Sequence, residues 1–502
     1  MNNNNMMARY YKALFNNDPL VLTFTLFVVS TVLVVFLLGT ALDGPSERRF
    51  LSLNNRVQFL FPHSNQQSIN CTPTNIHLAP KSDVDLTNHT VSMTMSFTLP
   101  QECDPSKILT HVNYGRANEE FQTIPAETLQ FTYSRYVRSY QSSWIHHVIF
   151  QDLIAGGELY WYQIEAKMNE DSLFADSWNS SVFTFATPPL PMEPVTVALI
   201  GDWGGSPEAL RTMQGMTNAS LVVIAGDISY ANAHLPQWEE WFSSMQDLWT
   251  KIPSIVAAGN HEIECNRKTF QVFQAYENYF RNPNRIAAPR LDPIPFQFSD
   301  CIHPAEFWTT YWYGNSFYSY RHGLLQIIVL NSYTDSSQGS VQYKWLQEEL
   351  ARVDRSITPW LMVVFHSPLH IIFKGHGDEE NSVRMLQYME PLFVQYQVNI
   401  LLSGHSHAYV RTYPMVGTQV SSRGPIHLTI GTGGDSMAGD PSRSNSNLAW
   451  VAHRDNTEFG FGQLQIVNAT HAYFERVLNN ENYHHYHPDA MDSVWIDNII
   501  MS

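Results

Sequence analysis

Hydrophobic positions along this chain change rhythm at two places. From about Cys71 to Thr187 they fall in short runs that alternate with polar residues. Val91-Ser-Met-Thr-Met-Ser-Phe97 alternates cleanly, and His111–Tyr114, Trp144–Phe150, Leu159–Ala166 and Ser180–Thr187 repeat the pattern at short spacing. A period of two marks strands with one face buried, and no stretch here carries a helical period. Residues 71–188 are therefore expected to form an all-β sandwich of the immunoglobulin or fibronectin type III kind. His146 and His147 lie inside one of these strands and read as ordinary strand residues.

Pro188-Pro-Leu-Pro-Met-Glu-Pro194 is stiff and proline-rich, and it separates the two patterns, with 189–194 as the linker. Beyond it, continuous apolar runs alternate with stretches of helical period. Val195–Ile200, Leu221–Ala225, Ile255–Ala258, Leu325–Leu330, Trp360–Phe365, Val398–Leu402, Ile426–Ile430 and Gly462–Asn468 read as strands, most of them buried on both faces. Pro207–Met216, Gln237–Trp249, Ser340–Val353 and the region Glu379–Gln395 read as helices. The third has apolar residues at Val341, Trp345, Leu346, Leu350 and Val353. Residues 195–478 are thus expected to be an α/β domain with a layered core, and 479–502 a tail.

The other change of rhythm lies at the start. Pro19 to Leu42 has no charged residue and Leu20–Leu38 is almost unbroken apolar sequence, long enough to span a bilayer. Residues 1–42 are read as a signal anchor or a signal peptide, with a cleavage site after Ala41 as the alternative, and 43–70 as a spacer. Arg9 and Lys12 before the run balance Arg48 and Arg49 after it, so basic residues do not decide orientation. Either reading sends the rest of the chain into the secretory pathway: outside the cell, into a lysosomal or vacuolar lumen, or onto a membrane facing away from the cytosol. Five Asn-x-Ser/Thr sequons, at Asn70, Asn88, Asn179, Asn218 and Asn468, all follow the run. So do all four cysteines, and in an oxidising compartment local Cys71–Cys103 and Cys265–Cys301 bridges are expected, although four cysteines allow three pairings.

Composition changes the picture only by exclusion. The net charge of −17 argues against a nucleic-acid backbone as partner. An acidic protein that acted on phosphate esters would need local positive charge, which bound metal ions supply.

The candidate chemistry lies just past the strands. Val195–Ile200 is followed by Gly201-Asp202-Trp-Gly204, and Leu221–Ala225 by Gly226-Asp227-Ile-Ser-Tyr230. Ile255–Ala258 runs into Gly259-Asn260-His261-Glu262, Val363-Val364-Phe365 into His366, and Val398–Ser403 into Gly404-His405-Ser-His407. A single Gly-Asp pair is more often a turn than a site. Five strands carrying Asp, Asp/Tyr, Asn/His, His and His/His to one edge of a sheet make a different case. Carboxylate and imidazole suit zinc, manganese or iron, and one carboxylate can bridge two ions. Two such ions clamp the attacking and leaving oxygens of an in-line displacement and generate hydroxide near neutral pH. No Gly-x-Ser-x-Gly elbow and no phosphate-binding P-loop pattern is present.

Gly-Asp-x-Gly, Gly-Asp-x-x-Tyr, Gly-Asn-His-Glu, Val-x-x-His and Gly-His-x-His together resemble the calcineurin-like metallophosphoesterases. Tyr230 narrows the resemblance to the purple acid phosphatases of the large, two-domain type. Ile145-His-His-Val148, Phe183-Thr-Phe-Ala-Thr-Pro-Pro189, Trp238, Trp241 and Gly424-Pro-Ile-His-Leu-Thr-Ile430 extend it from about Cys71 to Leu478. The resemblance implies a fibronectin III-like sandwich followed by an α/β metallophosphoesterase domain, a β-sandwich flanked by helices. It implies an acid phosphatase that hydrolyses phosphate monoesters with a metal-activated hydroxide at a dinuclear Fe(III)–M(II) site, M being Fe, Zn or Mn. Fe(III) would be held by Asp202, Tyr230, His407 and the bridging Asp227, and the second metal by Asp227, Asn260, His366 and His405. His261 would contact phosphate and assist the leaving alcohol. His376 is the candidate for a second substrate histidine, with His370 as runner-up. Partners would be a phosphate-ester substrate, a membrane if the anchor is uncleaved, and a second copy in a homodimer.

Two departures are visible: Asn232 stands where an Asp is common, and Gly431-Thr-Gly-Gly-Asp435 replaces Gly-Asp-Gly-Gly-Asn. The alternative readings are a di-zinc or di-manganese phosphodiesterase or nucleotide pyrophosphatase on the same fold, and a non-catalytic adhesion protein. Tyr230 argues against the first and the intact motifs against the second. His427 reads as core, and His484, His485 and His487 as tail residues.

Overall fold

The computed structural model describes residues 69–134, 139–169, 176–284, 302–304, 311–373, 379–438, 448–479 and 491–500. The apolar run at 20–38 lies outside them, as do Cys301, His376 and the histidines at 484, 485 and 487. Among the described residues no helix is long and apolar enough to cross a membrane.

The first part is the expected sandwich. One antiparallel sheet orders Thr74–Pro80, Thr90–Leu99, Trp144–Ile154 and Glu127–Leu129; the other orders Ser177–Asn179, Leu159–Met168, Ile108–Arg116 and Gln122–Pro125, with Phe183–Ala186 also on Leu159–Met168. The alternation in the sequence is the alternation of the pleat. Tyr160, Tyr162, Ile164 and Ala166 point inward from one strand and meet Met93, Met95 and Phe97 from the facing sheet. Cys71 and Cys103 are disulfide-bonded. Cys265 is also disulfide-bonded.

Residues from 195 onward build two sheets packed face to face. The first runs Ser254–Val256, Leu221–Ile224, Val195–Ile200, Gly460–Ile466, His471–Leu478, Ser493–Asp497. The second runs Tyr318–His322, Leu325–Val329, Trp360–Val364, Ile400–Ser403, Ile426–Ile430, Tyr409–Thr412, Val451–Asp455. Three strands of the first sheet and four of the second are mutually parallel, and the remaining pairings are antiparallel. Continuous apolar runs follow from this layering. Leu221 and Val223 enter the core between the sheets, while Val222 and Ile224 face a second core on the outer side. Met362 and Val364 likewise join the inner core, and Leu361 and Val363 the other outer core.

Helices cover both outer faces. Pro207–Gly215, Pro236–Ser244 and Gln246–Trp249 lie on the first, Val341–Arg352, Glu380–Tyr388 and Glu390–Gln395 on the second. The predicted single helices 237–249 and 379–395 each divide in two, at Met245 and Met389; no Gly or Pro marks the first break, whereas Pro391 in the first turn of Glu390–Gln395 marks the second. Val341, expected on the buried stripe, is 50% exposed, because the helix turns Leu346 and Leu350 to the core instead. The segment read as a tail contributes Ser493–Asp497, the outermost strand of the first sheet. Sandwich and α/β part pack directly together. His77 stacks on Phe242 with centroids 4.4 Å apart and its Nε2 lies 2.9 Å from Tyr279 O. His147 Nε2 lies 3.1 Å from Asn278 O, and Tyr162 donates to Thr250 O at 2.8 Å. His146 and His147 are therefore packing residues, as their strand positions suggested.

Candidate metal centre

The five motif-bearing strands do not share one sheet, as the sequence pattern had suggested. Val195–Ile200, Leu221–Ile224 and Ser254–Val256 belong to the first sheet, Trp360–Val364 and Ile400–Ser403 to the second. Because the sheets face one another, the C-terminal ends of all five meet over the same spot. Apolar runs record burial, not sheet membership, so the division was invisible in the sequence.

The loops that leave these strands are sharply turned. Asp202 (φ +53°), Asp227 (+53°), Tyr230 (+54°) and His405 (+67°) all sit in the left-handed region, where a non-glycine residue is held only by its surroundings. Here the restraint is a set of crossed hydrogen bonds. Trp203 N donates to Asp227 O at 2.9 Å, Gly204 N to Ile228 O at 3.0 Å, and His405 N to the Asp202 carboxylate at 2.7 Å. Glu262 Oε2 accepts from Asp227 N (2.8 Å) and Gly259 N (2.7 Å), and its Oε1 from Ile228 N (2.9 Å). Two glycines allow the close approach. A Cβ on Gly259 would collide with the Asp227 carboxylate, and one on Gly404 with that of Asp202.

The side chains form two groups that share one carboxylate. Ligand atoms of Asp202, Asp227 and His407 lie within 4.8 Å of one another, and so do those of Asp227, His366 and His405. In the first group Tyr230 Oη is 3.1 Å from Asp202 Oδ1 and 2.9 Å from His407 Nε2. In the second, His366 Nε2 is 3.1 Å from Asp227 Oδ2 and 3.2 Å from Asn260 Oδ1. Asp202, Asp227, His366 and His405 are buried.

The comparisons with known proteins agree with this geometry. Residues 195–409 match the calcineurin-like phosphoesterase family profile, and 424–485 the iron/zinc purple acid phosphatase-like protein C profile. Purple acid phosphatase 1 of Ipomoea batatas is 31% identical over 77% of this chain and 77% of its own length. Fe(3+)-Zn(2+) purple acid phosphatase 12 of Arabidopsis thaliana is 30% identical over 77% of this chain and 78% of its own. The chain belongs to the purple acid phosphatases. Its fold matches that of a purple acid phosphatase from yellow lupin seeds with a TM-score of 0.67, at 20% identity, over 86% of this chain and 76% of that one.

It is thus a metal-dependent phosphatase, and its donor set fits two metals. Burial, then Asp202 and Asp227, push the Tyr230 phenol well above its ordinary pKa. Burial also opposes charge on Asp227, yet His366 and His261 hold it below the carboxylate range. Burial works against an imidazolium at His366, and Asp227 outweighs it, raising that pKa to about 10. Histidines are thus left to balance two buried carboxylates, work that cations do better. The outer nitrogens of the histidines are already engaged: His366 Nδ1 with Ala225 O at 2.6 Å, His405 Nε2 with Glu379 Oε2 at 2.8 Å, His407 Nδ1 with Ser436 Oγ at 2.6 Å. These contacts turn the other nitrogen of each ring inward.

The structure brings together Asp202, Asp227, Tyr230, Asn260, His366, His405 and His407. His261 stands beside them, its Nε2 3.7 Å from Asp227 Oδ2 and its Nδ1 2.5 Å from Asn232 Oδ1. The Asn232 departure therefore touches the site directly. His370 instead faces Glu390 at 3.8 Å and packs on His427 and Trp450. Sequence reasoning missed Glu379, Ser436, Tyr333 and His303. None lies in a strand-end motif. Tyr333 donates to Asn260 Oδ1 at 3.4 Å, and His303 stacks on His261.

Proposed function

We propose that this phosphatase hydrolyses phosphate monoesters at a ferric ion paired with a divalent metal (Fe, Zn or Mn). The observation that carries the reading is the shared carboxylate: Asp227 belongs to both ligand groups, so two ions would be held side by side. Asp202, Tyr230, His407 and Asp227 would hold Fe(III); Asp227, Asn260, His366 and His405 would hold the divalent ion. The Arabidopsis relative named for an Fe(3+)–Zn(2+) pair supports that choice. Bound, the pair supplies a nucleophile from water and offsets the negative charge of the phosphate.

The chain's own residues would do the rest. Glu262, through three backbone N–H groups, keeps the Asp227 turn and the 259–262 loop in register. Contacts from Ala225 O, Glu379 and Ser436 orient the three ligand imidazoles. His261 has 17% of its side chain exposed, and Asn232 holds its Nδ1. Its Nε2, 3.7 Å from Asp227 Oδ2, would then contact a phosphate oxygen and, with the ring as imidazolium, pass its proton to the departing alkoxide. His376, outside the described residues, is our second substrate histidine, and the packing of His370 against Glu390 supports that preference. The Cys71–Cys103 bridge supports an oxidising, non-cytosolic location, and all five sequon asparagines are exposed, which supports glycosylation there.

Metal analysis of the purified full chain should return iron and a second metal in equal amounts, with a tyrosinate-to-iron absorption band in the visible. p-Nitrophenyl phosphate should be hydrolysed at acidic pH far faster than bis-p-nitrophenyl phosphate. An iron-free, colourless enzyme that prefers the diester would replace this reading with a phosphodiesterase.

A further inference from the structure

His303 is 42 residues from His261 in sequence and belongs to no motif. In the fold the two imidazoles stack, with centroids 4.8 Å apart and planes only 9° from parallel. The same residue has a second hold on the site. Its carbonyl oxygen accepts a hydrogen bond from Asn260 Nδ2 at 3.1 Å, which fixes the amide so that Asn260 Oδ1 faces His366 Nε2, 3.2 Å away. His303 thus touches two neighbouring residues of the Gly259-Asn260-His261-Glu262 loop. The preceding residue, Ile302, is buried and its carbonyl accepts from Glu264 N at 3.0 Å. His303 itself is exposed.

The stack matters because of what restrains His261 elsewhere. Asn232 holds Nδ1, and the Tyr230 ring lies against the imidazole with centroids 4.3 Å apart but tilted by 49°. One hydrogen bond and a tilted ring against the imidazole leave its opposite face uncovered. The parallel His303 ring adds a second aromatic restraint on the plane of the imidazole. Parallel ring packing at this distance is attractive, and a general acid is effective only when its nitrogen is held within hydrogen-bond reach of the oxygen it serves.

We propose that His303 is a positioning residue for the hydrolytic reaction: its ring holds the His261 imidazole in the plane from which Nε2 reaches the leaving-group oxygen. The proposal rests on the role given to His261 above. His303 acts through His261, so its contribution falls on the part of the reaction that depends on leaving-group protonation. Alkyl phosphates, whose alcohols leave poorly unless protonated, depend on it most. Aryl phosphates, whose phenolates leave readily, depend on it least.

The test uses the metal-loaded full chain with His303→Ala, His303→Phe, His261→Ala and the double variant. Rates are measured on glycerol 2-phosphate and p-nitrophenyl phosphate, with metal content and the affinity for inorganic phosphate read alongside. His303→Ala is expected to lower kcat on the alkyl ester by about three- to ten-fold, the scale of one aromatic stack, with a smaller change on the aryl ester. Metal content should be unaltered. His303→Phe, which keeps a flat ring without the nitrogens, should restore the alkyl rate. In the His261→Ala background, His303→Ala should add nothing. Equal losses on both esters, a loss of metal, failure of the Phe variant to rescue, or full additivity in the double variant would each overturn the positioning role. If His261→Ala leaves both rates unchanged, the assignment of His261 fails first, an outcome distinct from an inert His303.

Discussion

Replacing Tyr230 with Phe separates a structural hydroxyl from a metal ligand. The hydroxyl is buried and makes two polar contacts, with Asp202 Oδ1 at 3.1 Å and His407 Nε2 at 2.9 Å. Those two partners also lie 3.2 Å from each other, so neither is stranded when the hydroxyl goes. With metals chelated, the loss is then that of ordinary hydrogen bonds, about 1–2 kcal/mol. With metals bound, a lost ligand weakens affinity by at least about tenfold, on the scale measured for lesser perturbations around metal sites, and adds about 1.4 kcal/mol or more. The destabilisation should therefore be clearly larger in the loaded protein than in the chelated one. Thermal unfolding with and without chelator measures the difference, and a visible spectrum gives an independent reading. The band should vanish in the variant while iron is still detected. Equal destabilisation in both states, with the band intact, refutes Tyr230 as a ligand.

Three other substitutions probe the frame around it. Asp227→Asn keeps a residue that tolerates the left-handed backbone, so circular dichroism should be unchanged while both metals are depleted and monoester hydrolysis falls by about 10³-fold or more. Gly404→Ala would push a methyl into the Asp202 carboxylate, with Ala225 O only 3.1 Å away; unfolding should show a loss of about 1–3 kcal/mol, and metal analysis reduced occupancy. Asp492 accepts from Arg411 at 2.7 and 2.8 Å and from Tyr409 at 2.6 Å. Burial opposes its charge, but these donors outweigh it and hold its pKa below the usual value. Its contribution is therefore complete above the unfolded carboxylate pKa of about 3.9 and fades as pH falls through the lower folded value. Asp492→Asn should destabilise by about 1.5–3 kcal/mol at pH 6 and by progressively less below about pH 4, as a pH series of melts would reveal.

Much of the site could be read in advance because each candidate ligand lies within a few residues of the end of a buried strand. The apolar run marks the strand, a glycine marks the turn at every strand end but that of His366, and the candidate ligand comes next. Glu379 and His303 escaped that logic. Glu379 precedes a helix and faces His405 only because Glu380–Tyr388 packs against the second sheet. His303 meets His261 across 42 residues with no pattern between them. The helix break at Met245 escaped for a related reason: packing on the sheet decides where a turn tightens when neither Gly nor Pro does, whereas Pro391 offered a signal for the break at Met389.

Local order along the chain determined the sandwich, the layered α/β part and which residues are candidate ligands, because periodicity and turn residues act over a few positions. Tertiary structure alone decided that the five strand ends come from two sheets. Face-to-face packing then brings Asp202 and Asp227 from one sheet against His366, His405 and His407 from the other. A buried strand looks the same in sequence whichever sheet it joins. The distances that make two candidate ligand groups share Asp227 depend on how closely neighbouring strands approach at Gly259 and how closely the two sheets approach at Gly404. The second of these brings together Gly404 and Asp202, 202 residues apart, and only the packed core sets it.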